Sequence, residues 1–352
     1  MASKINLAAL TINDEEARDV SQAVFERVYS KRELADVHYL MTGFKMKTQI
    51  PIMGLMSGLI GKASSGCTPN TSTEVVALSQ KFADPVLVDF RLAHCQNEVN
   101  QKFKLWQRAD KARETWEDAK QIMEFLMDRT GDAVKESLLR VVEFGDKNAD
   151  NVATGGYITD GVDDTFFTMI DGFWKQYFAD SALVRYTIPE NALATKAAQA
   201  ALANDRALMA LRHLIDNCDS RIFDMEQSDI KFQVTRSLYN NLRNYYEDKS
   251  LGFTIQRAED GTPKLFYNGY EVIARHDWDR NIAAYNNLGA TYLNPNRATF
   301  GPITNIPIIT SDMESLSSIE SFYDKVTKQW YLDVAYYIDA KLLESYLTAV
   351  AY

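Results

Sequence analysis

Apolar positions recur most regularly in the second hundred residues. Trp116, Ala119, Met123 and Leu126 fall at steps of three and four, Gly131 interrupts them, and Val134, Leu138, Val141 and Val142 resume the stripe until Gly145. Such spacing puts the apolar side chains on one helical face, and a glycine just past the last of them is a stop signal. Two amphipathic helices, or one long kinked helix, are predicted here. Nearer the start, Asn13 followed by Asp14, Glu15 and Glu16 reads as a capped helix start, with Val20, Val24 and Val28 forming a stripe behind it.

Elsewhere the period changes to two. Val86, Val88, Phe90 and Leu92 alternate with Leu87, Asp89, Arg91 and Ala93, as in a strand with one face inward. Phe173 to Phe178 begins a helix, and the alanine-rich run from Glu190 to Cys218 predicts two helical pieces divided near Asn204 and Asp205. KFQVTRSLYNNLRNYYED predicts a strand and then a helix, with Thr235 as cap and Leu238, Leu242 and Tyr245 on one face. LFYNGYEVI predicts two short strands about the turn dipeptide Asn268-Gly269. The last thirty or so residues are strand-rich, with Trp330, Leu332 and Val334 on one parity.

One stretch fits neither period. From Val37 to Thr73 there is no Asp or Glu, yet there are Lys45, Lys47 and Lys62, five of the sixteen glycines and two prolines. It lacks the apolar anchors for a core of its own and predicts a long extended excursion like a hairpin. Its counterpart in charge is the glycine-rich loop from Asp146 to Asp171, with six aspartates against one lysine.

The 352 residues, 46% hydrophobic and 24% charged, are ordinary globular material, and the net charge of -10 argues against a free-standing nucleic-acid binder. Cys67, Cys95 and Cys218 are far apart and form no C-x-x-C pair, which indicates neither a zinc site nor a disulfide framework and fits a reducing cytoplasm. No run approaches the roughly 18 apolar residues of a membrane span, and the short apolar stretch Ile5 to Leu10 runs into acids without a cleavage-type end.

Candidate chemistry is sparse. GLMSGLIGKAS resembles a phosphate loop, but Ala63 follows Lys62 where the pattern needs a hydroxyl residue to hold magnesium. No serine stands in a Gly-x-Ser-x-Gly elbow, and His38, His94, His213 and His276 are scattered. His276, Asp277 and Asp279 look like a metal or proton-transfer cluster. Arg275 and Arg280 flank them, however, and would more simply neutralise the carboxylates across a hairpin or a subunit contact. No catalytic residue, metal ligand or cofactor is assigned.

The order of these parts resembles the major capsid protein of tailed bacteriophages, the Hong Kong 97-type fold. The likeness is carried by LLRVVEFGDK, KFQVTRSLYNNLRNYY, LFYNGYEVIARHDWD, RATFGPITNIPII and YYIDAKLLESYLTAVAY, and it covers nearly the whole chain. It implies an α+β fold with an N-terminal arm (1–42), an extended loop (43–80), a peripheral domain with a long spine helix (81–160), an axial domain (161–310) and return strands of the peripheral domain (311–352). The implied function is self-assembly into the hexamers and pentamers of an icosahedral virion shell. The shell would be built in the bacterial cytoplasm, with packaged double-stranded DNA as contents, a portal and a scaffolding or decoration protein as partners, and no membrane.

Many family members carry a cleaved scaffolding segment of about a hundred residues before the arm. Here at most about forty precede the loop, which implies a separate scaffolding protein or none. The resemblance also places the loop across a neighbouring subunit. Lys45, Lys47 and Lys62, with Ile50, Ile52, Met53, Leu55 and Met56 as apolar anchors, would then dock on a neighbour's Asp146, Asp150, Asp160, Asp163 and Asp164. Competing readings are a nanocompartment or gene transfer agent shell of the same fold, an α/β enzyme using His276 to Asp279, and a tail or baseplate protein.

Overall fold

The computed structural model describes residues 36–53, 78–95, 119–149, 167–249, 255–257, 263–311, 320–324, 326–327 and 329–352. The predicted leading helix and the phosphate-loop look-alike lie outside them.

In the N-terminal half are strands β1 (Leu40–Met41), β2 (Thr48–Met53), β3 (Leu78–Ala83) and β4 (Val86–Cys95), then helices α1 (Ala119–Phe144) and α2 (Phe173–Ala179). The interrupted stripe resolves into one helix: α1 runs through Gly131 for 26 residues and buries Val134, Leu138, Leu139, Val141 and Val142. Packing on that face outweighs the roughly 1 kcal/mol that an internal glycine costs a helix. The helix does stop at Gly145. A Cβ there would sit 2.5 Å from the carbonyl oxygens of both Val141 and Ile170, and Gly172 donates its N–H to the Gly145 carbonyl at 2.8 Å. Two glycines thus let the turn after α1 pass directly against the chain entering α2.

The next strands and α-helices among the described residues are β5 (Val184–Tyr186), α3 (Lys196–Ala200), α4 (Arg206–Asn217), β6 (Ile230–Val234), α5 (Arg236–Asp248), β7 (Ile255–Arg257), β8 (Pro263–Tyr267), β9 (Tyr270–Ala274) and α6 (His276–Tyr285). They are followed by β10 (Ala298–Pro302), β11 (Ile308–Thr310), β12 (Glu320–Asp324), β13 (Gln329–Ala340) and β14 (Ala349–Ala351).

Two larger sheets organise the described residues. In the first, β13 is the spine: β4 pairs antiparallel along one edge from Gln329 to Ile338, while β12 and β11 share the other, with β1 parallel beyond β11. Val88, Tyr336 and Ile338 of this sheet join α1, α2 and Trp278 of α6 in one apolar core. In the first part of β4 the parity is as predicted, with Val88 buried, Val86 half-buried and Leu87 53% exposed, while the side chains of Phe90 and Leu92 lie outside the described residues.

The second sheet has seven strands in the order β5-β14-β10-β6-β9-β8-β7. Helices α4 and α5 pack on it through Ala207, Ala210, Leu211 and Leu214 and through Leu238, Leu242 and Tyr246. Tyr246 joins Leu238 and Leu242 fully buried, and Tyr245 packs against the same core partly buried. Asn268 and Gly269 both take positive φ, 51° and 86°, and close the two-residue turn between β8 and β9. The closing run expected with β13 divides instead: β14 inserts between β10 and β5 of this second sheet. All three residues of β14 are buried, and their small side chains fit that interior position.

Strands β2 and β3 form a separate antiparallel ribbon from Thr48↔Ala83 to Met53↔Leu78. The base of the predicted excursion is therefore a hairpin. Its root rests on the body through Ile50, Ala83 and Ile309, with Met41, Phe44 and Leu343 beside them.

Candidate functional site

On the hairpin side, Lys45 and Lys47 are exposed, and they flank Met46, which is 78% exposed. The Lys47 ammonium lies 5.7 Å from the ring centre of Phe82 on β3. Ile50 does not share this surface; it is buried in the small core at the hairpin root and anchors the ribbon to its own subunit. Ile52 and Met53 lie in β2, their side chains outside the described residues, as are Leu55, Met56 and Lys62 entirely.

Asp146 does not belong to an acidic docking surface as expected. It is fully buried, because the turn after Gly145 points it inward. Its carboxylate accepts from the Asn148 N–H at 2.9 Å and from the Lys175 ammonium, which also reaches Asp171 at 2.9 Å. Burial alone would lower Lys175, but the two aspartates outweigh it and hold it above its ordinary range. Asp150, Asp160, Asp163 and Asp164 lie outside the described residues.

The His276 to Asp279 cluster is taken apart by helix geometry. These residues form the first turn of α6, not a hairpin. Arg275, just before the helix, holds Asp277 in a two-pronged bond at 2.9 and 2.7 Å. Asp279 accepts the N–H of Arg236 at 3.1 and 3.2 Å, so it caps α5 from a neighbouring helix. Thr235, the expected cap, instead bonds with Ser237 and with the backbone of Arg297. His276 points outward and approaches Asp279 only to 3.9 Å. Among the described residues no group of three His, Cys, Asp or Glu side chains could hold a metal ion, and no helix is long and apolar enough to cross a membrane.

Arg275 is also the centre of a polar cluster that the sequence reading did not single out. Its Nη2 donates to Glu143 Oε1 at 2.6 Å, and Nη1 donates to Gln233 Oε1. The same Glu143 oxygen is 3.0 Å from His38 Nε2, and the Gln233 amide donates to the Val37 carbonyl at 2.9 Å. Burial would raise Glu143, but Arg275 and His38 together hold it below the usual carboxylate range. Burial would likewise lower Arg275; Asp277 and Glu143 reverse this and hold it above its ordinary value. A faint signal existed: Glu143 interrupts the apolar run VVEF at the end of an amphipathic stripe.

A second buried guanidinium stands nearby, with no carboxylate in contact among the described residues. Arg297 lies over Phe144, Trp174 and Phe178, 4.8 to 5.4 Å from their ring centres, and donates to the carbonyls of Asn294 and Leu293 and to Asn286. Burial draws it down to about 9, so it keeps its charge at neutral pH, held by aromatic faces and carbonyl dipoles.

No family model matches the sequence, and no curated protein matches it. Solved structures do. A chain of the satellite phage P4 procapsid that includes the size determination (Sid) protein aligns with TM-score 0.54 and 10% identity, covering 94% of this chain and 98% of that one. A chain of the cyanophage A-1(L) capsid aligns with TM-score 0.50 and 10% identity, covering 99% and 95%. The fold is that of phage capsid proteins, over essentially the whole chain.

Proposed function

We propose that this chain is the major capsid protein of a tailed phage. Copies associate as hexamers and pentamers into an icosahedral head shell around double-stranded DNA, which they enclose without reading its sequence. The observation that supports this reading is mutual coverage: two phage capsid chains match this one nearly end to end, with little of either left over. Chemistry of this kind is repeated association, so the working residues lie at contacts between copies. The shell would form in the host cytoplasm with a portal, and with a separate scaffolding or decoration protein if it uses one.

In this reading residues 1–42 are the N-terminal arm and 43–80 the extended loop. Residues 81–160 with 311–352 supply the peripheral domain, except that β14 contributes to the sheet of the axial domain, 161–310. The β2–β3 ribbon lies across a neighbouring copy, with Lys45, Lys47 and Lys62 facing the neighbour's Asp150, Asp160, Asp163 and Asp164. Ile52, Met53, Leu55 and Met56 supply apolar contacts. Asp146 and Ile50 are no part of this contact, since each is buried within its own subunit.

Negative-stain electron microscopy of the purified protein tests the proposal. Closed icosahedral particles are expected; a protein that stays monomeric under all assembly conditions overturns it. Nuclease-protected DNA inside native particles supports the phage reading, whereas a protein cargo replaces it with a nanocompartment.

A further inference from the structure

We infer that residues 37–41 form a latch whose seating is coupled, through one closed ring of buried side chains, to the placement of α1 against the seven-stranded sheet. The inference concerns the single chain and stands apart from the shell reading.

The ring can be followed bond by bond. His38 Nε2 meets Glu143 Oε1 at 3.0 Å, and Arg275 Nη2 donates to that same oxygen at 2.6 Å. Arg275 Nη1 donates to Gln233 Oε1, and Gln233 Nε2 donates to the carbonyl of Val37 at 2.9 Å. Val37 and His38 are covalent neighbours, so the circuit closes. Its members come from separate parts of the chain: the segment before β1, the last turn of α1, β6, and the junction of β9 with α6. All four side chains are 3% exposed or less.

Closure is what makes the ring a coupling device. In a buried setting a fully satisfied network is stable, but a partly satisfied one strands donors and acceptors that water cannot reach. Lifting residues 37–41 would leave the Gln233 amide without its acceptor and Glu143 without one of its two donors. It would also open a hollow beside Phe173, on which the His38 ring stacks at 5.3 Å and 11°. Tilting α1 would withdraw Glu143 from His38 and Arg275 at once. The two displacements share one cost, so each favours the other.

Besides the ring, His38 Nδ1 lies 3.4 Å from the Ile306 carbonyl oxygen and Leu40 and Met41 pack against the two cores, but the backbone of the latch is lightly held among the described residues. Strand β1 is two residues long, paired among the described residues with Ile308 and Ile309, and flanked by the Ile308 N–H to Tyr39 carbonyl bond at 2.8 Å and the Phe44 N–H to Thr310 carbonyl bond at 3.1 Å. A pairing that short is marginal without side-chain support. A partner that draws residues 37–41 away would therefore loosen α1 from the sheet.

Amide hydrogen exchange on the full chain tests this, with the Ile308 and Phe44 amides reporting the latch, the Val142 to Phe144 amides reporting the end of α1, and the Leu242 amide in α5 as control. Glu143→Gln and Gln233→Met touch none of the β1 backbone bonds, yet each is expected to speed exchange at Ile308 roughly tenfold with Leu242 unchanged. His38→Phe, which keeps an aromatic ring against Phe173, is expected to speed exchange at Val142 to Phe144. Unchanged exchange at Ile308 in the first two variants overturns the coupling, as does a uniform increase that includes Leu242. Should Glu143→Gln fail to fold, the uncharged Gln233→Met decides alone by the same readings.

Discussion

Glu143 and Arg275, 132 residues apart in the chain, meet at 2.6 Å with both side chains almost wholly buried. One closes the long helix and the other leaves the seven-stranded sheet, so this ion pair fastens the two main bodies of the subunit together. Asp277 and His38 complete the pairing on either side. A buried pair of this kind adds little over an apolar substitute, but removing Glu143 strips Arg275 of one of its two carboxylates and leaves buried donors without their acceptor.

Truncation at this junction should therefore be severe. Glu143→Ala is expected to destabilise the subunit by about 3–5 kcal/mol, read as a fall in the denaturant midpoint. Lys264→Ala, which removes a half-exposed partner of Glu271, should cost about 1 kcal/mol or less. Equal losses would show that burial does not govern the Glu143 pair.

Acid should act through the same group. Glu143 and Asp277 have folded-state values below their ordinary 4.5 and 3.8, so the stability they contribute is present above those values and is lost as pH falls through the lower, folded ones. Asp279 and Asp339 are shifted upward by burial and act in the opposite sense. In thermal melts from about pH 6 down to about pH 3, Glu143→Gln should start lower and fall less steeply than the wild type. A parallel acid limb in the two proteins would assign the acid sensitivity elsewhere.

Gly145→Ala should be among the most damaging small substitutions in the described structure. Its Cβ would lie 2.5 Å from two backbone carbonyl oxygens, neither of which can rotate away. A loss of about 1–3 kcal/mol or more is expected, from forced backbone shifts at the α1–α2 corner. Gly43→Ala, where the new Cβ meets nothing within 4 Å but φ is +97°, isolates the conformational cost alone and should lose about 1 kcal/mol. Thermal unfolding of both variants makes the comparison.

The exposed lysines should matter for association and not for folding. Lys45→Glu with Lys47→Glu is expected to leave the unfolding free energy within about 0.5 kcal/mol of wild type, as surface changes do. The same double variant should fail to form shells when imaged by electron microscopy. Normal particles from it would remove these lysines from the contact between copies.

Much of the architecture could be read from local pattern. The start of the β4 alternation, the Asn268-Gly269 hairpin and the divided alanine-rich helices each depend on neighbours in sequence, and each stands as expected. The long helix was legible except at Gly131, where burial decided continuity against propensity. What local pattern could not show were choices between distant partners. Asp146 looked like a surface acid because its burial depends on Lys175 and on a turn made possible by Gly145 and Gly172. Thr235 looked like the cap of its helix until Asp279 took the Arg236 amide from across the fold. The ring around Arg275 joins residues no spacing rule connects, so it appears only in three dimensions.

Strand β14 has a consequence for how the polypeptide is made. Residues Ala349–Ala351 bridge β10 and β5, which the ribosome has produced well before them. During translation the nascent chain therefore holds two open strand edges until these residues emerge to seal them. A nascent chain stalled before Ala349 would carry those edges uncovered and adhesive towards a sister in the same state.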